Sequence, residues 1–200
     1  MKGNRITWLL ALMLCLSACG NSGEAVWREQ VLLADGRVAI AERRQQYHDT
    51  RELGGLGERV IDRTTLSFTL PGNQTLPALT TGIAAPDESN PKALPTGEIP
   101  LIFDVDADSR VYFVITIVDH CHRARELGLD SGVPYFEYRL ADNGWRRQPV
   151  SAARVGWKTN LLIARSAQMG PLISLEEKAA SNGSSRYRRF YKSISSHVPC

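Results

Sequence analysis

Apolar, β-prone residues recur along this chain in short runs separated by turn signals, the pattern of strands joined by tight loops. The first pair flanks Asp35-Gly36: Trp27-Arg-Glu-Gln-Val-Leu-Leu-Ala34 before it and Arg37-Val-Ala-Ile-Ala-Glu42 after it. Asp-Gly between two such runs predicts a hairpin whose two turn positions both take positive φ, with strands over 27–34 and 37–44. Residues 45–59 lose apolar content and read as a loop. Their Leu53-Gly54-Gly55-Leu56-Gly57 lacks the lysine and Ser/Thr of a phosphate-cradling loop. A third strand, Thr64 to Leu70, stops at Pro71-Gly72-Asn73.

Pro86, Pro91, Pro95 and Pro100 then break the pattern, because proline removes ladder donors. The 82–98 stretch is expected to be a long exposed loop, a tolerated surface insertion or a binding loop. Two apolar runs follow, Ile99–Val105 and Val111–Val118, on either side of Asp106-Ala-Asp-Ser109. The second is nearly unbroken, which predicts a central strand covered on both faces. Val133–Leu140 and Trp145–Gln148 flank Asn143-Gly144, a second hairpin signal. Past Val150 the pattern weakens. Trp157–Ala164 reads as a last strand, and Leu172–Ala180 as a short helix with Ser174 and Glu177 at capping-box spacing. Arg186–Ile194 reads as a second helix. The expected fold is one mostly-β domain over 27–200, an antiparallel sandwich or partly open barrel with one or two short C-terminal helices. There is no internal repeat to suggest a propeller.

The N-terminus follows a different rule. Lys2 and Arg5 precede an apolar run, Ile6 to Leu16, too short to span a bilayer and flanked like an export signal. The run exits through Leu16-Ser17-Ala18-Cys19, which resembles the lipobox of bacterial lipoproteins. That resemblance implies cleavage of 1–18, acylation of Cys19, and a tether over 19–26. Gly20, standing where aspartate often marks inner-membrane retention in such proteins, implies the outer membrane with the domain facing the periplasm. The order Trp27-Arg-Glu-x-Val-Leu-Leu-x-Asp-Gly-Arg-Val38, Ile99-Pro-Leu-x-x-Asp-Val105 and a Tyr112-Phe-Val114 strand resembles a group of uncharacterised proteobacterial lipoproteins. Asn160-Leu161-Leu162, the Arg186-Tyr-Arg188 segment and the terminal cysteine share that likeness. The family carries no assigned activity or cofactor.

Removing Lys2 and Arg5 from 24 Lys+Arg leaves 22 against 21 Asp+Glu, a net charge of +1. A near-neutral chain has no field to steer it onto nucleic acid. Of the four cysteines, Cys15 leaves with the signal and Cys19 is taken by lipid. Cys121 and Cys200 remain in an oxidising compartment and are expected to form a disulfide.

Candidate chemistry is sparse. Asp104-Val-Asp106-Ala-Asp108 has the alternation of a calcium loop, but Ser109 and Ile115 stand where the turn glycine and bidentate glutamate belong, so a solvated turn is expected. His120 and His122 would share one face of an extended segment and could reach a metal, with His197 as a third ligand, or serve Cys121 as a base. Their plain reading is decoration of a disulfide-bearing strand end. Arg186, Arg188, Arg189 and Lys192, interleaved with Tyr187, Phe190 and Tyr191, could contact an anionic ligand or simply form a solvated terminal face. No nucleophile elbow, zincin motif or Cys-x-x-Cys occurs. The expectation is a lipid-anchored envelope protein, a non-enzymatic module that binds another envelope protein or an anionic polymer. The alternative is a metal-binding or catalytic protein built on His120, Cys121 and His122. No cofactor and no nucleic-acid partner is implied.

Overall fold

In the computed structural model, the described residues are 22–50, 58–82, 97–106, 108, 110–118, 135–142, 144–163, 170–182 and 193–195. They build nine strands in two sheets; seven fall on the expected apolar runs, while the short β4 and β9 were not expected. The first sheet has the order β4-β3-β2-β1-β9 and the second β5-β6-β7-β8. Neither closes on itself, so the mostly-β expectation holds.

The first sheet is formed by β1 (Ser22–Leu32), β2 (Val38–Thr50), β3 (Glu58–Thr69), β4 (Leu79–Thr81) and β9 (Leu172–Ile173). β1 begins five residues before the expected start at Trp27, taking most of the expected 19–26 tether into the sheet. β2 and β3 likewise run through most of 45–59, which apolar content alone had marked as loop. Cross-strand pairing supplies what sequence hydrophobicity lacks there: Gln46↔Arg63, Tyr47↔Ile61 and His48↔Val60. The β1–β2 turn also differs from the Asp-Gly expectation. Gly36 donates to Leu33 O at 3.0 Å and Leu33 N to Arg37 O at 2.9 Å. Gly36 has φ +84, whereas Asp35 is not among the positive-φ residues. The loop therefore has three residues with a glycine bulge, in place of a two-residue turn.

The second sheet is β5 (Glu98–Val105), β6 (Tyr112–Val118), β7 (Tyr135–Ala141) and β8 (Gly144–Pro149), all antiparallel. The second hairpin falls where Asn143-Gly144 predicts, with Ala141 paired to Gly144. β6 lies inside the sheet and is covered on both faces, as its unbroken apolar run requires. One face joins Val114 and Val118 to Val31, Ala41, Leu66, Phe68 and Phe103 in the core between the sheets, where Phe68 stacks on Phe103 at 3.7 Å. The other face, Phe113, Ile115 and Ile117, packs with Leu101, Tyr135 and Ile194, and against Trp157 and Ile163. Sheet one, by contrast, alternates cleanly between buried and exposed along β1 and β2.

The covering layer comes from the chain after Val150. Trp157–Ile163 is irregular where a strand was expected. Asn160 explains why: its amide donates to Phe103 O (2.8 Å) and Leu32 O (3.1 Å), and its Oδ1 accepts from Phe103 N (2.9 Å). One side chain thus closes the free edge of β5 without a paired strand. Helix α1 (Leu175–Asn182) starts after Ser174, whose Oγ accepts from Glu177 N at 3.1 Å while Glu177 Oε2 accepts from Ser174 N at 2.8 Å. This is the expected capping box, although Leu172–Ile173 is strand instead of the first turn. Ser193 and Ile194 are not helical, so the second expected helix does not reach its end; residues 186–192 lie outside the described set.

Candidate functional site

The sandwich has two unlike ends. β1 enters at Ser22 and its eleven residues lead to the Ala34–Gly36 turn, roughly 35 Å away at strand rise. At that distal end lie the β3–β4 connection, the β5–β6 turn and the β7–β8 hairpin. Asp104 latches the β1–β2 turn to the end of β5. Its Oδ1 accepts from Ala34 N at 2.7 Å and from Val105 N at 2.8 Å. Burial pushes its carboxyl above the ordinary range.

Between these connections opens a cleft of about 620 Å³. Leu76, Val111, Tyr112 and Leu140 give it apolar lining; Arg110, Arg139, Arg146 and Gln148 supply donors, and Asp142 is its only acid among the described residues. Two anchors fix its walls. Trp145 Nε1 donates to Pro77 O at 2.8 Å, holding the β3–β4 connection against β8. Tyr112 is held between Phe103, 5.9 Å away, and Arg37, which donates to its hydroxyl at 3.0 Å. Hydrogen bonds to Asp35 and then Tyr112 raise the Arg37 pKa further, so this support keeps its charge.

The three cleft arginines differ in availability. Arg139 is bound to Glu137 at 2.9 Å and to Asp106. Arg110 is exposed and 4.0 Å from Asp108, at the limit of an ion pair. Arg146 is exposed and has no ion-pair partner among the described residues. The rim therefore offers two accessible guanidinium forks over an apolar lining, suited to a carboxylate or phosphate oxygen pair.

Other polar clusters are less accessible. Glu98 on β5, Thr116 on β6, Tyr138 on β7 and Arg147 on β8 form a thread across the second sheet: Glu98 accepts from Thr116 (2.9 Å), Tyr138 (2.7 Å) and Arg147 (3.1 Å). Burial, then Glu98, hold the Tyr138 phenol far above its ordinary pKa, making it a fixed donor and not an acid–base group. On the first sheet His48 Nδ1 lies 2.7 Å from Asp62 Oδ1. Ser22 is the register partner of His48, yet among the described residues no side-chain hydrogen bond joins them, so the pair does not couple a base to a nucleophile.

The acids of the expected 104–108 turn are committed to protein donors, Asp104 to backbone N–H groups and Asp106 to two arginines. Among the described residues no cluster of His, Cys, Asp and Glu has a metal-binding arrangement. Cys19, His120, Cys121, His122, Arg186, Arg188, Arg189, Lys192 and Cys200 lie outside the described residues, as do 83–96 of the expected loop. From the sequence, Trp145–Gln148 reads only as a strand and Arg110 is assigned no role. Their convergence depends on tertiary pairing, which leaves no local signal. Comparison with family models, curated proteins and solved structures finds no match for this chain.

Proposed function

We propose that this protein is a non-enzymatic binding module of the bacterial envelope, anchored by lipid on Cys19, that grips an anionic polymer in the Arg110–Arg146 cleft. One observation carries the reading: the cleft opens at the end of the sandwich opposite Ser22, where the described chain begins. With Cys19 acylated, only Gly20 and Asn21 separate the lipid from β1. The cleft would then face away from the bilayer, where a polymer or an acidic protein could enter it. Gly20, where aspartate often marks inner-membrane retention in such proteins, favours the periplasmic leaflet of the outer membrane.

The test uses the full chain in detergent micelles with polyglutamate and polyphosphate as separate probes. Arg110→Ala/Arg146→Ala is expected to weaken binding of the preferred probe about tenfold, with affinity falling steeply as salt rises. Polyglutamate preference identifies a carboxylate polymer, polyphosphate preference a phosphate one. If Arg186→Ala/Arg188→Ala/Arg189→Ala/Lys192→Ala abolishes binding while the cleft variant does not, the cleft is the wrong site. Stoichiometric zinc or copper lost in His120→Ala/His122→Ala would overturn the non-enzymatic reading in favour of a metal protein.

A further inference from the structure

The inner face of the first sheet changes character along its length. Towards the distal end it presents Ala39, Ala41, Leu66 and Phe68. Towards the Ser22 end it presents Arg43, Gln45 and Thr64, with exposures of 0%, 6% and 0%. The register places these three together. Gln45 pairs directly with Thr64, and Arg43 is two residues back on the same face, between Trp27 and Leu66. Directly paired residues hold their Cβ atoms about 5 Å apart.

Their hydrogen bonding is incomplete. Arg43 Nη2 donates to Pro100 O at 3.1 Å and Nη1 to Ile163 O at 3.5 Å, and the guanidinium lies 5.1 Å over the Trp27 ring. None of these is an anion. Arg43 Nε, Gln45 Nε2 and Thr64 Oγ1 are buried with no hydrogen-bond partner among the described residues. The adjacent carboxylate, Glu29, is taken by Lys178 Nζ (2.7 Å), Leu162 N (2.9 Å) and Trp27 Nε1 (3.2 Å). Glu29 is thus ion-paired with Lys178 and acts on Arg43 only through space, so among the described residues no carboxylate bonds the Arg43 guanidinium directly. Buried charges are ordinarily paired, and burial lowers the Arg43 pKa to about 10 although the Glu29 charge nearby acts to raise it.

The unpartnered set is two N–H donors, one of them on the Arg43 cation, and one hydroxyl able to donate. That chemistry excludes a metal ion and calls for a negatively charged acceptor. We propose that Arg43, Gln45 and Thr64 form an internal binding site for one small anion, a halide or a carboxylate group. The site is independent of the distal cleft: it lies in the other half of the sandwich and shares no residue with it.

The full chain in detergent micelles is titrated with bromide, formate and acetate at constant ionic strength, bulky gluconate making up the balance, while the unfolding temperature is followed. A saturable rise is expected with at least one probe, because a ligand of the native state alone stabilises it. Bromide alone identifies a halide site, and formate with acetate a carboxylate site. Thr64→Val and Gln45→Leu each remove an unpartnered group and should fold as well as the parent while losing the rise. A flat response in the parent, with Thr64→Val more stable in every salt, overturns the proposal, since the atoms are then simply unsatisfied. A rise that survives both variants overturns it as well, because the anion then sits elsewhere.

Discussion

Asp106 and Glu137 share both of their cationic partners. Arg154 reaches Asp106 at 2.5 Å and Glu137 at 3.2 Å, and Arg139 bridges the same two carboxylates. The four side chains form a closed, electrically neutral ring on the outer face of the second sheet. The Arg154 guanidinium also lies 3.7 Å over Phe113 and 4.5 Å over Trp157, so the ring ties the covering layer to the sheet.

Acid should open this ring from the Asp106 side. Burial disfavours its ionised form, but hydrogen bonds from Arg154 and Arg139 outweigh that and leave the folded-state pKa below 3.8. A depressed carboxylate contributes stability that is fully present above its ordinary pKa and lost as pH falls through the folded value. Asp106→Asn should therefore be less stable than the parent by about 2 kcal/mol at pH 7, the gap narrowing below about pH 4. Urea midpoints across that range check it. A gap that stays constant into acid would show that charge is not the cause.

Lys178 on α1 is the partner of Glu29, which is fully buried on β1. Lys178→Met should cost about 3–5 kcal/mol, because it leaves a buried carboxylate without its cation. Adding Glu29→Gln should recover part of the loss. Denaturant unfolding of the single and double variants measures the coupling, and additive losses would disprove it.

Asn160 stands in for a strand at the edge of β5, satisfying Phe103 N–H and C=O with one amide. Asn160→Ala should destabilise by about 1–3 kcal/mol, the cost of leaving buried backbone groups unpaired. Faster hydrogen exchange at the Phe103 amide, with little change at Ile115 inside the sheet, would mark the effect as local.

The lipid anchor is checked by Cys19→Ala, which should accumulate as an unprocessed, unlipidated chain. Maturation of that variant, with continued fractionation in membranes, would dismiss the anchor.

Cys121 and Cys200 are expected to be disulfide-linked. Among the described residues, Ile194 packs in one cluster with Ile117 and Tyr135. Three residues lead from Val118 to Cys121 and five from Ser195 to Cys200. The bond would close a loop worth up to roughly 4–5 kcal/mol. Non-reducing peptide mapping should recover the linked pair; free thiols at both positions would disprove it.

How far these features could be read from the chain depends on how local their causes are. The hairpins at Asp35-Gly36 and Asn143-Gly144, the doubly covered strand at Val111–Val118 and the Ser174–Glu177 cap all follow from neighbouring residues, and all appear in the fold. Trp157–Ile163 was misread because apolar content cannot distinguish a paired strand from a segment held by one asparagine. The buried polar residues were hidden for a related reason. Arg43 and Glu137 read as solvated positions of their strands, and Gln45 and Glu98 as parts of the 45–59 and 82–98 loops, yet Gln45 lies in β2, Glu98 opens β5, and all four are buried. Only the partners across the sheets make that possible. Arg110 and Arg146 are 36 residues apart by number and meet through pairing of β6 with β7 and β7 with β8. No spacing rule joins them.

The layer over the second sheet has a consequence for biogenesis. Synthesis runs from the N-terminus, and both sheets except β9 are complete once Pro149 has emerged. At that moment Phe113, Ile115, Ile117 and Tyr135 form a naked apolar face, because Trp157, Ile163 and Ile194 have not yet arrived. A nascent chain paused there would present a sticky flat surface, the kind that recruits holding chaperones or self-associates. Truncation after Val150 should therefore yield aggregates, not a smaller soluble sandwich, and the last quarter of the chain acts as a built-in lid against that fate.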